Sequence, residues 1–156
     1  MERLVIGKIR NRVREREDAD RLLWLRRENM PAELARGRLV LSEEEVRTNL
    51  PVPLLGRPDQ VFMSDAGLLV PVDTKTRRLP RVFLSDIVQL SVYGTILNFT
   101  TDPRFAGRDV AAHGYVRMPT LYGVAWARVA LLKPAAVVEL WADHWRRTEA
   151  QATQAA

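Results

Sequence analysis

Between Asp59 and Lys75 two short apolar runs, DQVFM and LLVPVDTK, flank the polar tetrad SDAG. Nothing else in the chain restricts its fold as tightly, because apolar runs of this length around a Gly-containing turn form an antiparallel hairpin. A turn centred on Asp65–Gly67 sets Asp59 opposite Asp73, about 5 Å apart at the Cα atoms. Side chains alternate along a strand, so Lys75 shares a face with Asp73, while Val70, Val72 and Thr74 point the other way, into the expected core. Two convergent carboxylates repel each other and shift each other's titration unless a cation lies between them. The cluster therefore reads as a divalent-metal site with an ammonium beside it, a combination suited to phosphodiester hydrolysis. A surface hairpin with two solvated acids and an unrelated lysine is the competing reading of the same pattern.

The rest of the chain arranges itself around that hairpin. Residues 1–38 hold eleven basic and seven acidic side chains. Leu22, Leu23 and Leu25 give this mixed run one apolar helical face. Pro31 ends or restarts the helix, and Gly37 closes a second short turn, PAELARG. RLVL at 38–41 predicts a strand. Ser42 and Glu45 have the Ser-x-x-Glu form of a capping box and predict a helical turn. With Ser85 as N-cap, residues 86–98 predict a helix. TTDPRFAGRD reads as a loop, and PTLYG separates two further strands, AAHGYVRM and GVAWARVALL. Pro134 opens a last helix whose tryptophans, Trp141 and Trp145, are expected to pack inward. The order predicts one α/β domain over 1–150, a central mixed sheet flanked by helices, and a frayed tail over 151–156.

Composition narrows the chemistry. The absence of cysteine excludes disulfides, thiolate catalysis and iron–sulfur or thiolate zinc sites, leaving oxygen-ligated Mg²⁺ or Mn²⁺. No run of about 18 apolar residues spans a bilayer and no secretory leader is present, so the expectation is a cytoplasmic protein without a membrane partner. The net charge of +5 comes from 21 arginines and three lysines against 19 acids, a balance compatible with a polyanionic partner.

Three segments in order, Pro58-Asp59, Asp73-Thr74-Lys75 and Gln89-Leu90-Ser91-Val92-Tyr93, resemble the RecB-type and CRISPR-associated exonuclease branch of the PD-(D/E)XK nuclease superfamily. The resemblance covers about Leu39 to Thr95. It implies a restriction-endonuclease-like core and DNA as substrate, with metal held by Asp59, Asp73 and the Thr74 carbonyl. Lys75 is then expected to assist the attacking water, with Gln89 and Tyr93 supporting the site. Independently, Gln89 and Tyr93 stand four apart and so share a helical face, as a core tyrosine beside an amide also would. Related nucleases often carry an acid or histidine on the first helix, for which Glu28 and Glu33 are the candidates here. The iron–sulfur cysteines of some members are absent and no helicase domain is present, so a minimal stand-alone module is expected.

Arg57, Arg77 and Arg78 flank the acids and are candidates for phosphate contact, against a solvated edge as the alternative. His113 is expected to be a hydrogen-bonded strand histidine. The combined expectation is a metal-dependent deoxyribonuclease, with a catalytically degenerate DNA-binding or scaffold module of the same fold as the alternative.

Overall fold

The computed structural model describes residues 14–20, 23–24 and 28–155. Residues 14–20 are helical (α1) and exposed, and Leu23 is exposed too, against the expected buried face. Leu22 and Leu25 lie outside the described residues. The elements that follow are α2 (Ala32–Arg36), β1 (Arg38–Ser42), β2 (Val46–Thr48), β3 (Leu54–Gly56), β4 (Gln60–Met63) and β5 (Leu69–Thr74). Then come α3 (Leu84–Phe99), β6 (His113–Thr120), β7 (Gly123–Ala130) and α4 (Pro134–Gln154).

Five strands form one mixed sheet in the order β1-β4-β5-β6-β7, and β2 and β3 form a separate two-stranded ribbon. All neighbours in the large sheet are antiparallel except β5 and β6, which α3 links as a parallel crossover. The β4–β5 register, from Gln60↔Val72 to Met63↔Leu69, is the one the turn at Asp65–Gly67 requires, and it carries Asp59 to the level of Asp73.

Helices cover both faces of β5, which explains its nearly continuous apolar run. Val61 and Leu69 pack with Ile96 and Leu97 of α3. On the other face Phe62, Val70, Val72 and Tyr115 pack with Leu34 of α2. The sequence reading assigned only the Val70–Val72 face to the core. Thr74, expected there too, is only partly buried and lines a groove instead.

Proline is unusual in a central strand because it cannot donate to the ladder. At Pro71 the β5–β6 ladder is interrupted: three steps from Leu69 to Val72 correspond to five from Val110 to Tyr115. Gly114 fits beside the interruption, since a Cβ there would come within 2.8 Å of the Pro71 carbonyl oxygen and 3.3 Å of its ring.

Four local expectations are corrected. Ser42 ends β1 and starts no helix: Glu43 has a φ of 51° and donates its N–H to the Asp59 carbonyl at 2.9 Å, and the chain enters the β2–β3 ribbon. Helix α3 is capped by Asp86, whose Oδ2 accepts the Phe83 N–H at 2.8 Å, and not by Ser85. PTLYG is mostly strand, with only Leu121 and Tyr122 in the turn. Helix α4 continues to Gln154, past the expected fraying at 151, and Trp145 is 49% exposed; only Val137 of α4 is fully buried. Among the described residues no helix is long and apolar enough to cross a membrane.

Because the obstruction at Gly114 is backbone, Gly114→Ala should cost about 1–3 kcal/mol. Urea unfolding is expected to give a lower midpoint with an unchanged slope. An unchanged midpoint would mean that β6 does not sit against Pro71 as described.

Candidate metal-dependent active site

Asp73 lies near the C-terminal end of β5 with 2% of its surface exposed. Burial penalises its ionised form and is the largest influence raising its pKa; Lys75 opposes this, and the neighbouring Asp59 carboxylate adds to it. Lys75 Nζ lies 2.7 Å from Asp73 Oδ2, so the buried carboxylate is paired with an ammonium, and no other described residue hydrogen-bonds that oxygen.

Lys75 is aimed by its other contact. Its Nζ donates to Gln89 Oε1 at 2.7 Å, and Gln89 Nε2 donates to the Tyr93 hydroxyl at 2.6 Å. The one-turn spacing on α3 thus produces a continuous relay from Asp73 through Lys75 and Gln89 to Tyr93. Burial is also the main cause of the raised Tyr93 pKa, so the phenol stays neutral and its oxygen accepts from the amide. The Tyr93 ring fits closely over Gly56, where a Cβ would meet ring atoms at 2.8 Å.

Asp59 stands in the connection between β3 and β4, and its Oδ2 accepts the Thr74 backbone N–H at 2.6 Å. Asp59 and Thr74 also border a groove of about 550 Å³, together with Glu28, Glu43 and Arg117. The two first-helix candidates separate here. Glu28 lines the groove and binds Arg117 in bidentate fashion, at 2.9 Å to Nε and 2.5 Å to Nη2. Glu33 accepts from the Tyr115 hydroxyl at 2.8 Å and pairs with His113 Nε2 at 2.8 Å, away from that groove. His113 is accordingly the bonded strand histidine expected.

The three candidate phosphate-binding arginines do not behave alike. Arg57 and Arg78 are exposed. Arg77 is committed to the buried Asp86, with two 2.6 Å hydrogen bonds, and its guanidinium lies 4.5 Å from the centre of the Phe83 ring. It anchors the start of α3, so its ion pair to Asp86 gives it a structural role whether or not it meets phosphate. Sequence reasoning missed Asp86 and Arg117. Asp86 was legible as an acid in the first turn of a helix, but Arg117 became visible only when β6 aligned it with Thr74.

The residues present fit a hard divalent cation. Mg²⁺ sites commonly use one or two carboxylates and leave other positions to water and substrate phosphate. Asp73 offers a buried carboxylate, paired through Oδ2 with Lys75, and the Asp59 carboxylate stands beside it.

Fold and site together define an α/β domain with a five-stranded mixed sheet, flanked by helices, and an acid–lysine cluster at the end of its central strand. No family model and no curated protein matches the chain. The solved structures similar to it include the crystal structure of SSO0001, with a TM-score of 0.48 and 20% identity over 66% of this chain. The chain spans about half of that protein, 48% of its length.

Two outcomes are expected from the contacts on α3. Tyr93→Phe leaves a Gln89 donor unpaired and should cost about 1 kcal/mol. Combined with Gln89→Leu, the losses should fall short of additive by about 0.5 kcal/mol or more in a double-mutant cycle; strict additivity would mean that the relay does not act as a unit. The second outcome concerns Asp86, whose pKa is held below the usual carboxylate range, chiefly by hydrogen bonds from Arg77. Its ionised form therefore stabilises the fold above its unfolded pKa, and that contribution is lost as the pH falls through the lower folded value. Arg77→Met should be less stable than the parent at about pH 7, with the deficit shrinking below about pH 4 as Asp86 takes up a proton. A deficit of constant size would assign Arg77 to packing on Phe83 alone.

Proposed function

We propose that this chain is a divalent-metal-dependent deoxyribonuclease with a restriction-endonuclease-like core, acting on DNA in the cytoplasm. The observation that carries the reading is the relay Asp73–Lys75–Gln89–Tyr93, in which two of the three segments resembling PD-(D/E)XK nucleases converge through side-chain contacts, while the third is tied to them by Asp59 accepting the Thr74 N–H. A surface hairpin with unrelated charges gives no reason for a lysine to be held between a buried carboxylate and a glutamine on another element.

Asp59, Asp73 and the Thr74 carbonyl would hold Mg²⁺ or Mn²⁺, which when bound polarises the phosphate and lowers the pKa of a coordinated water. Lys75 holds its ammonium against Asp73 Oδ2. There it can hydrogen-bond the attacking water or stabilise charge that develops on the phosphoryl oxygens. Gln89 and Tyr93 hold that ammonium in place, so its orientation is prepaid in the folded state. Arg57 and Arg78, both exposed, would supply positive charge for the DNA backbone.

A catalytically degenerate DNA-binding or scaffold module is the second reading. The Asp59–Thr74 hydrogen bond favours it, because it gives Asp59 a strand-end role that needs no metal.

Plasmid and linear DNA incubated with Mg²⁺, Mn²⁺ or EDTA separate the two. Cleavage should require metal, and Asp73→Ala and Lys75→Ala should each reduce it at least about 100-fold while circular dichroism stays native. In parallel, metal at about 100 times its dissociation constant should stabilise the parent by about 2.7 kcal/mol, and Asp59→Asn should shrink that shift in Tm. Variants that cut DNA at the parent rate, or a Tm insensitive to millimolar Mn²⁺, would sink the nuclease reading.

A further inference from the structure

Beyond the acid–lysine cluster, β6 and β7 run on as a hairpin to a two-residue turn. Their pairing extends to Pro119↔Val124 and Thr120↔Gly123, and the turn itself is Leu121-Tyr122. Both side chains are almost wholly solvent-exposed, at 98% and 99%. Turns usually carry polar or small residues, so an aliphatic and an aromatic side chain displayed together need a reason. The turn is also stiffened: Thr120 Oγ1 donates to the Gly123 carbonyl at 2.8 Å and accepts the Tyr122 N–H at 3.2 Å. The display is thus built into the hairpin.

Opposite the turn lies the segment that follows Lys75. Arg78, Leu79 and Pro80 face Pro119, Leu121 and Tyr122 across a groove of about 540 Å³. Leu79 is 72% exposed. The groove has apolar walls, and its charged lining residues are arginines alone. Arg77 is held by Asp86, whereas Arg78 and the nearby Arg81 make no ion pair with any described residue. Flat apolar walls with a purely basic rim complement one chemistry closely: bases that stack, joined by a phosphate backbone.

Both walls of the groove lead back along the chain to the acid–lysine cluster. The Lys75 N–H donates to the Arg117 carbonyl at 2.8 Å, and Pro119 follows two residues on. At about 3.3 Å per strand residue, Thr120 stands about 10 Å beyond that contact.

From this we infer that Leu79, Pro80, Leu121 and Tyr122 form a base-stacking ledge, with Arg78 on its rim, for an unpaired stretch of DNA strand leaving or entering the acid–lysine cluster. The identity of the strand as DNA rests on the nuclease reading; the ledge itself rests on the exposed turn and its basic rim. Tyr122 would stack on a base, and the Thr120-braced turn lowers the entropy lost when it does so.

The test measures binding of a fluorescent oligothymidine by anisotropy in EDTA, where metal-dependent cleavage does not intervene. Tyr122→Ala should weaken binding about fivefold or more, since stacking contributes about 1–3 kcal/mol per base, and Tyr122→Phe should retain it. An oligonucleotide of abasic sites should bind the parent and Tyr122→Ala alike. Arg78→Ala should lower the dependence of log affinity on log salt by about 0.7. The ledge is overturned if Tyr122→Ala binds oligothymidine as the parent does, or loses affinity equally on the abasic strand. It is also overturned if the parent binds no single strand, or if Tyr122→Ala changes the sedimentation coefficient, which would make the turn a contact between copies of this chain. Cleavage assays with Mn²⁺ on the same samples keep the two readings apart. A Tyr122 effect on binding without cleavage supports the ledge and removes the nuclease; cleavage with no Tyr122 effect does the reverse.

Discussion

A carboxylate inside a sheet covered on both faces has lost nearly all its water, which penalises its charged form, and the fold has to supply something in exchange. Asp73 is in that position. Its attraction to Lys75 offsets part of the desolvation, and that attraction depends on where the ammonium is held. Lys75 is flexible by nature, so Gln89 and Tyr93 restrict it, which requires α3 to lie across the sheet at one height. That height is set in turn by the Arg77–Asp86 pair at the start of α3 and by the close approach of Tyr93 to Gly56. The acid at the end of β5 is thus coupled to the placement of a whole helix.

The parallel step between β5 and β6 gives the same acid a second side. Its register aligns Thr74 with Arg117, and Arg117 reaches to Glu28, whose carbonyl also accepts the Trp126 indole N–H at 2.6 Å. Asp59 therefore stands between two environments, the buried lysine relay and an open groove that holds a further acid–arginine pair. Reactive sites commonly sit beyond the carboxyl ends of strands in open α/β sheets, because the loops there are free to carry chemistry while the strands fix their origin. Here the loop after Lys75 and the β6–β7 turn extend from such an end.

Where a property depended on neighbours in sequence, it was legible. The hairpin register followed from the turn, and with it the opposition of Asp59 and Asp73; the alternation of strand faces put Lys75 beside Asp73, and the four-residue spacing put Gln89 and Tyr93 together. The misreadings share a cause. Ser42-x-x-Glu45 satisfies a local capping rule, yet β1 and the Asp59 carbonyl claim the backbone there. Ser85 has the right chemistry for a cap, but Asp86 reaches the Phe83 N–H and is itself neutralised by Arg77. Thr74 has the parity of a core residue, yet it lies at the strand end, where the opposing layer stops.

The sequence by itself determined the acid pair, the lysine beside it and the helix that brings Gln89 and Tyr93 to one face, because those relations are set by strand and helix periods acting over a few residues. It also excluded thiolate ligands for any metal, since the chain has no cysteine. Only the tertiary structure decided that Glu28 and not Glu33 shares the groove with Asp59, that Arg77 is taken up by Asp86, and that Leu121 and Tyr122 stand exposed beside Arg78. Each of those outcomes depends on which strand lies next to which, and on which charge reaches a given partner first. Sheet order and the parallel crossover settle such competitions between residues 9 to 89 positions apart, and no local period encodes them.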